Sequence, residues 1–323
     1  MAKDYSFKIF GHPNIYNNYS PRELMIYFSE PDSGVNENTG IVLLISGFGG
    51  NANSNVYKKM RCNFADKYNL VTVQCDYFGW EFMQSSPLPE GRNNFNDMGL
   101  MQALDNITAV VAVEQIIADN NLKYNAGKII AYGHSHGAYI SYLCNVMAPN
   151  LFSLIIDNSA WLFPQYIYKN RELILGSGNR ITFKYHAIDL VKDKQILDLN
   201  DLYKGFINSC KILSFHGEDD TLIGFDEKER FCNSVPHCEL NRITETNLDN
   251  IIFKSSTHGL GADFLLMFDS IMNEVDNSFT FKQNIQVMTQ KIRTNMFEYT
   301  LDYSSKLPIM SAEEINIDNK KQR

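Results

Sequence analysis

Short, uninterrupted apolar runs alternate with helical patterns along most of this 323-residue chain. Runs such as 41–45 and 128–132 are rich in β-branched residues and lack polar–apolar alternation, which indicates strands buried on both faces. Helical patterns at 53–67, 97–120 and 138–147 follow such runs. Further strands are predicted at 5–10, 24–28, 70–75, 151–156, 211–215 and 250–253, and further helices at 226–233 and 261–273. This order predicts an α/β fold in which helices cover both faces of a mostly parallel central sheet of about eight strands.

One segment departs from this rhythm. Residues 160–208 separate two predicted strands by about fifty positions, far more than a crossover connection needs. We therefore predict a cap or lid inserted over the carboxyl ends of the strands, where ligands bind in open α/β sheets. A long helical crossover without a functional role is the alternative. On this interpretation 1–159 and 209–311 form the core, and 312–323 form a polar C-terminal tail.

Net charge and cysteine spacing argue against nucleic-acid binding and against a disulfide-bonded or cysteine-ligated metal protein. The formal net charge is −8 at pH 7, and nonspecific nucleic-acid binding requires a basic surface, so we predict no nucleic-acid partner. The six cysteines are scattered without a Cys-x-x-Cys pair and are predicted to be free thiols, not disulfides or metal ligands. The N-terminus shows no secretory signal and the apolar runs are too short to span a bilayer, which predicts a cytoplasmic location.

The segment 133–137 has the sequence Gly-His-Ser-His-Gly and lies between the predicted strand at 128–132 and a predicted helix. A Gly-x-Ser-x-Gly turn in this context is typical of a nucleophile elbow, which exposes the serine hydroxyl above the sheet. Gly133 and Gly137 fit such an elbow because the tight turn leaves little room for flanking side chains. Ser135 is therefore the predicted nucleophile.

Three further segments follow predicted strands. A serine hydroxyl needs a base to remove its proton, and 255–259 (Ser-Ser-Thr-His-Gly) contains a histidine, while 216–220 (His-Gly-Glu-Asp-Asp) contains acids. The third segment, 46–50, is Ser-Gly-Phe-Gly-Gly. It lacks the Lys-Ser/Thr of a P-loop and the full Gly-x-Gly-x-x-Gly fingerprint, so a phosphate cradle is the weaker alternative there.

These motifs, in this order and context, resemble those of the α/β-hydrolase superfamily over about residues 5–275. The resemblance implies a catalytic triad of Ser135, Asp220 and His258, in which the acid orients the imidazole and the imidazole activates the serine. Asp219 is the alternative acid. Asp157, at the end of the strand before the cap, is a more remote alternative.

The resemblance also implies an oxyanion hole formed by the backbone N–H groups of Phe48 and His136. Ser46 stands where many relatives have histidine, which keeps the backbone donor but leaves open how side chains support the loop. The residues predicted to line the pocket are Gly47, Gly49, His134, Tyr77, Trp80 and Trp161.

The segment 97–105, together with the Asn-, Ile- and Lys-rich composition, looks more narrowly like a group of poorly characterised Campylobacter proteins associated with surface-glycan and flagellar loci. The superfamily resemblance implies a serine hydrolase that acts on an ester, including an O-acyl group on a carbohydrate, without a metal or cofactor. Its partner would be a small-molecule or glycan ester. An O-acyltransferase that uses the same triad to move an acetyl group to or from a glycan is the alternative, and a non-catalytic binding protein on this scaffold is the second.

Overall fold

The computed structural model describes residues 1–86, 88–174, 176 and 178–315. Its strands are β1 (Lys3–Phe10), β2 (Glu23–Glu30), β3 (Gly40–Ile45), β4 (Leu70–Cys75), β5 (Ile129–His134), β6 (Leu154–Asn158), β7 (Arg171–Ile174), β8 (Arg180–Phe183), β9 (Lys211–Gly217), β10 (Cys238–Ile243), β11 (Gln290–Arg293), β12 (Phe297–Asp302) and β13 (Ile309–Glu314). Its α-helices are α1 (Asn55–Tyr68), α2 (Leu100–Asp119), α3 (His136–Met147), α4 (Ala187–Leu190), α5 (Leu199–Tyr203), α6 (Phe225–Ser234) and α7 (Phe264–Val275).

The largest sheet contains eight strands in the order β1-β2-β4-β3-β5-β6-β9-β10. Pairing is antiparallel between β1 and β2 and between β2 and β4, and parallel at every other pair of this sheet. The predicted mostly parallel sheet of about eight strands is therefore confirmed.

Both faces of this sheet carry a hydrophobic core. In β3, Val42 and Leu44 pack in the core that contains α1 and α7, whereas Ile41 and Leu43 pack in the opposite core with α2 and α3. This alternation follows from the two-residue period of a strand, and burial on both faces explains the uninterrupted apolar run. Among the described helices, α2 is long and apolar enough to cross a membrane, but 78% of its apolar window is buried inside the fold.

The parallel strands β3, β5, β6 and β9 are neighbours, so their carboxyl ends lie along one edge of the sheet. The segments at this edge include the loops 46–50 and 218–220 and the turn at Ser135 between β5 and α3. Ligands of open α/β sheets bind at this edge. The topology therefore brings the segments predicted to carry the nucleophile, the acid and an oxyanion donor to the same edge of the sheet.

The strand predicted at 250–253 is wrong. The Asp249 carboxylate accepts hydrogen bonds from the backbone N–H groups of Ile251, Ile252 and Phe253 at 2.9, 2.8 and 2.9 Å, so these amides are satisfied locally instead of in a ladder. The last strand of the main sheet is β10, an edge strand with mixed polar and apolar residues. It contains no apolar run that would mark it as a strand, because an edge strand can leave part of its surface in water.

The C-terminal part of the predicted core forms a sheet of its own. β11, β12 and β13 pair antiparallel and separately from the main sheet. Residues 312–314, predicted to begin a polar tail, belong to β13, which pairs with β12 along its whole length although Met310 is its one buried residue. Of the predicted tail, residues 316–323 lie outside the described residues.

This small sheet is attached to two other parts of the fold. Thr294 Oγ1 and the Tyr299 hydroxyl donate hydrogen bonds to the buried carboxylate of Asp193 at 2.6 and 3.0 Å. The Tyr303 hydroxyl donates to the carbonyl oxygen of Met147, at the end of α3, at 2.9 Å. The small sheet therefore connects segment 160–208, which contains Asp193, to the core.

Segment 160–208 contains the hairpin β7–β8 and the short helices α4 and α5. Trp161 and Tyr185 contact the ring of Phe48, in the loop after β3, with centroids 5.3 and 6.1 Å apart. The segment therefore lies against the carboxyl edge of the main sheet. Its boundaries as a cap, and its opening as a lid, stay predictions.

A buried ion pair joins the end of β6 to α6. Lys228 Nζ lies 2.6 Å from Asp157 Oδ2, and both side chains are fully buried. The hydroxyls of Tyr142 and Ser214 donate to the same oxygen, each at 2.8 Å. Burial alone would raise the pKa of Asp157, but the attraction of Lys228 outweighs it and holds that pKa below its ordinary value. Asp157, the remote alternative for the acid, therefore faces Lys228 and not His258.

Replacing Lys228 with methionine should destabilise the fold by about 3–5 kcal/mol, because the Asp157 carboxylate would stay buried without a counter-charge. The Asp157→Asn/Lys228→Met double variant should recover much of this loss, and urea unfolding of the four proteins gives the coupling energy. Because the pKa of Asp157 is lowered on folding, the coupling should hold above the ordinary value of 3.8 and shrink as the pH falls below it. Additive losses in the two single variants would contradict this prediction.

Candidate active site

Ser135 lies at the turn from β5 to α3, with φ 53° and ψ −117°. This backbone conformation is unfavourable for a residue with a side chain and costs about 1–3 kcal/mol. Two glycines permit the turn: a Cβ on Gly133 would lie 2.4 Å from Ala138 Cα, and a Cβ on Gly137 would lie 2.2 Å from the Ile45 carbonyl oxygen. The strand-to-helix elbow predicted from the Gly-x-Ser-x-Gly motif is the geometry observed.

Three side chains that are distant in sequence meet at this elbow. Ser135 Oγ lies 2.7 Å from His258 Nε2, and His258 Nδ1 lies 2.7 Å from Asp220 Oδ2. The Asp220 side chain is fully buried, whereas 22% of the His258 side chain is exposed. With Nδ1–H donating to the carboxylate, Nε2 can accept the serine proton. The structure thus brings together the three residues predicted as a triad.

Of the two adjacent acids, Asp220 faces the imidazole. Its other oxygen accepts hydrogen bonds from two backbone N–H groups of the following turn, at 2.8 and 3.3 Å. Burial would raise the pKa of Asp220, but the hydrogen bond from His258 and its charge outweigh burial, so the pKa lies below its ordinary value. Asp219 instead accepts a hydrogen bond from Ser256 Oγ at 2.6 Å and supports the loop that carries His258.

A serine that the sequence did not single out ties this loop to the sheet. Ser159, fully buried after β6, accepts a hydrogen bond on Oγ from the Gly259 N–H at 3.0 Å. Gly259 has φ +81°, and a Cβ there would lie 3.0 Å from the His134 ring. Glycine therefore allows the loop to approach the elbow. The available signal for Ser159 was its position at the carboxyl end of a central strand.

The loop after β3 lies directly beside the elbow. A Cβ on Gly47 would lie 3.3 Å from Ser135 Cβ, and Gly49 has φ +86°, so both positions favour glycine. The backbone N–H groups of Phe48 and His136 donate no hydrogen bond within the described part of the chain. Two unused donors at an elbow are suited to hold an oxygen that gains negative charge.

Tyr77, predicted to line the pocket, supports this loop instead. It is 2% exposed and donates a hydrogen bond to the Ser46 carbonyl oxygen at 3.0 Å. This contact gives the loop side-chain support at Ser46. Trp80, also predicted to line the pocket, borders a different cavity of about 360 Å³, whose walls include Lys8 and Arg22 but not Ser135.

Four aromatic rings, named the aromatic wall, pack together beside the elbow: Phe48, Trp161, Tyr166 and Tyr185. Phe48 stacks on Trp161 with centroids 5.3 Å apart, and its edge meets the His136 ring at 5.1 Å. Trp161 therefore lies at the side of the site formed by the segment 160–208, and its role in lining a pocket stays a prediction.

The two histidines that flank Ser135 are poorly placed as bases. His136 Nε2 is hydrogen-bonded to Gln102 Oε1 at 2.7 Å, and burial lowers the pKa of His136 to about 3. His134 packs against Phe264 with centroids 4.8 Å apart, and desolvation lowers the pKa of His134 to about 4. Both rings are neutral at pH 7, which leaves His258 as the candidate base.

Arg171, in β7, clamps the hairpin onto the aromatic wall. Its guanidinium carbon lies 4.9 Å from the Phe48 ring centroid and 5.1 Å from that of Phe183. Its Nη1 donates to the Met83 carbonyl oxygen at 3.1 Å. Sequence reasoning missed Arg171, because a basic residue in a segment of unknown structure carries no local signal of such a contact.

Comparison with sequence families gives one match. Residues 80–197 match a family described as "Protein of unknown function (DUF2920)", a span of just over a third of the chain. No curated protein sequence matches the chain. The narrower resemblance to the Campylobacter group stays a prediction.

Solved structures establish the fold. Est1E from Butyrivibrio proteoclasticus has a TM-score of 0.50 at 17% identity, with 78% of this chain and 92% of that chain covered. Esterase 2 of Thermogutta terrifontis, in a form phosphoramylated by tabun, has a TM-score of 0.51 at 15% identity and coverages of 84% and 93%. A chain named as a dipeptidyl aminopeptidase IV from Bacteroides ovatus has a TM-score of 0.55 at 11% identity, with only 36% of that longer chain covered. The predicted α/β-hydrolase fold is confirmed.

Replacing Ser135 with glycine should make the protein about 1 kcal/mol more stable than replacing it with alanine. Both changes remove the hydroxyl, but alanine keeps the Cβ that is strained at φ 53°, whereas glycine adopts this conformation freely. Urea unfolding of the two variants measures the difference. Equal stabilities would show that the elbow stores no strain.

Replacing Arg171 with leucine should increase amide hydrogen exchange in β7 and β8 by about fivefold, because a cation–π contact contributes about 1 kcal/mol to holding the hairpin closed. Arg180→Leu is the matched control, since Arg180 pairs within the hairpin with the half-exposed Glu172. Mass spectrometry of the peptides that contain these strands gives the rates. Wild-type exchange in Arg171→Leu would contradict the clamp.

Proposed function

We propose that this protein is a serine hydrolase that cleaves an ester through an acyl-enzyme on Ser135. The observation that carries the proposal is the continuous hydrogen-bonded series from Ser135 Oγ to His258 Nε2 and from His258 Nδ1 to Asp220 Oδ2, with both distances 2.7 Å. A nucleophile, a base and an orienting acid in reach of each other meet the geometric requirement for acyl transfer.

In the first half-reaction, Ser135 Oγ forms a bond to the ester carbonyl carbon while His258 Nε2 takes the hydroxyl proton. The carbonyl oxygen becomes an oxyanion, which the amides of Phe48 and His136 are positioned to hold. The bond from this carbon to the alcohol oxygen then breaks, and His258 returns the proton to the leaving alcohol. Asp220 stays ionised and stabilises the imidazolium, in keeping with its lowered pKa.

In the second half-reaction, water replaces the alcohol. His258 removes a proton from the water as its oxygen bonds to the acyl carbon, and the same two amides hold the second oxyanion. The bond between the acyl carbon and Ser135 Oγ breaks, His258 protonates Oγ, and the free acid leaves. The enzyme is then restored to its starting state.

Proteins of similar structure guide the choice of the first ester substrates to assay. Structures of esterase 2 from Thermogutta terrifontis include propionate-bound and butyrate-bound forms, and Est1E has a ferulic acid-bound form. At 16–17% identity we use these names only to choose substrates for the first assays.

A fluorophosphonate probe should label the wild type and fail to label Ser135→Ala. Hydrolysis of ethyl butyrate should fall by about 10⁴-fold or more in Ser135→Ala and by about 10²–10⁴-fold in Asp220→Asn, which disturbs the imidazole tautomer. Asp219→Asn is the matched control: it sits one residue away, contacts Ser256 and not His258, and should lose less than about tenfold. Absence of labelling in folded wild type would refute the proposal.

The same acyl-enzyme serves an O-acyltransferase when a sugar hydroxyl takes the place of water. Mass spectrometry of products, with a glycan acceptor present, separates the two activities: free acid supports hydrolysis, and acylated glycan supports transfer. Wild-type turnover equal to that of His258→Ala across an ester panel would support a non-catalytic binding protein. The cytoplasmic location stays a prediction.

A further inference from the structure

Three buried ring nitrogens beside Ser135 have no hydrogen-bond partner among the described residues: Nδ1 of His134, Nδ1 of His136 and Nε1 of Trp161. The His134 ring packs on Phe264, whereas the rings of His136 and Trp161 contact each other. His136 is 0% exposed and Trp161 is 2% exposed, and their ring centroids lie 5.0 Å apart. Buried polar groups are nearly always paired, so an unpaired donor and an unpaired acceptor on neighbouring rings indicate a site for a ligand group.

The protonation state of His136 follows from its other nitrogen. The Gln102 side-chain amide N–H groups donate to the carbonyl oxygen of Phe78 at 3.0 Å and to Asn96 Oδ1 at 2.9 Å, which turns Gln102 Oε1 toward His136. Nε2 of His136 must then carry the proton and donate to Oε1, at 2.7 Å. Nδ1 is therefore an acceptor, while the indole N–H of Trp161 is only a donor.

The rings of His136 and Trp161 lie where the acyl group of the substrate would bind. Both rings contact Phe48, at 5.1 and 5.3 Å, and the amides of Phe48 and His136 are the two proposed oxyanion donors. The leaving alcohol must face His258, because His258 protonates it, and the His258 side chain is partly exposed. The acyl group then extends in the opposite direction, along the buried aromatic wall.

We propose, building on the serine hydrolase function above, that His136 and Trp161 form a hydroxyl-binding subsite and that the substrates are esters of short hydroxy acids. A hydroxyl oxygen accepts a hydrogen bond from Trp161 Nε1–H and donates one to His136 Nδ1. A carboxylate lacks the proton for Nδ1, and an ammonium group lacks an acceptor for the indole N–H. A hydroxyl is the smallest substrate group that can both accept from the indole N–H and donate to Nδ1.

The test compares ethyl esters of butyrate, 2-hydroxybutyrate and 3-hydroxybutyrate by acid release at constant pH. The ratio of kcat/KM for the better hydroxy ester to that for ethyl butyrate should fall by about tenfold in Trp161→Phe, which keeps an aromatic ring but loses the N–H. Comparing ratios between proteins cancels the different chemical reactivities of the esters. Trp80→Phe, which changes the chain's other tryptophan at a separate cavity, should keep the wild-type ratio.

A binding measurement covers the case in which Trp161→Phe does not fold. In the Trp80→Phe/Ser135→Ala protein, Trp161 is the only tryptophan, so its emission reports directly on the subsite. Titration with the matching hydroxybutyrate should change this emission at a concentration about tenfold lower than titration with butyrate. A purely structural role for Trp161 would give equal responses to the two acids.

Two failures are distinguishable. If wild type hydrolyses ethyl butyrate through Ser135, but its ester ratio is unchanged in Trp161→Phe and the two acids bind equally, the subsite is refuted and the hydrolase function stands. If no ester is cleaved and Ser135 is not labelled by a fluorophosphonate, the proposed function fails, and this inference fails with it.

Discussion

The strained backbone at Ser135 constrains the whole carboxyl edge of the sheet. Its positive φ turns β5 directly into α3, and the turn packs so closely that Gly137 abuts the Ile45 carbonyl at the end of β3. Because β3 and β5 are paired neighbours, the loop that carries Phe48 must begin beside the nucleophile. One conformation of the main chain thus positions both the hydroxyl and the nearby amide donors, before any side chain of the site makes a contact.

Apart from the exposed edge strand β1 and its partly exposed neighbour β2, the strands that the sequence predicts correctly are those that water cannot reach. β3, β5 and their neighbours have both faces buried, and this requirement leaves uninterrupted apolar runs. β10 and the strands β11 to β13 are partly exposed, so their mixed residues resemble those of loops. The false strand at 250–253 has the opposite cause: its residues are apolar, but the Asp249 carboxylate satisfies their amides locally.

In the site, the residues that could be predicted lie in segments with a local sequence pattern, and the others act only through tertiary contacts. Ser135, Asp220 and His258 each lie in a short segment with its own local pattern, and the sheet brings those segments together. The choice between Asp219 and Asp220 depends on the path of one turn, which no residue pattern specifies. Ser159 and Arg171 act only across the fold; Ser159, for example, binds a backbone amide 100 residues away. Such contacts leave no periodic or local trace in the sequence.

The attachment of the C-terminal sheet to Asp193 has a mechanical consequence. Asp193 is 5% exposed and accepts hydrogen bonds from Thr294 and Tyr299, while Tyr303 binds the end of α3. One side of the covering segment is thereby attached to the body of the molecule, and the hairpin on the other side is held by Arg171 and by the buried ring of Phe183. Rotation of the covering segment would take place about the side that the C-terminal sheet holds. Truncation of the chain before β11 would therefore remove this attachment together with the three strands.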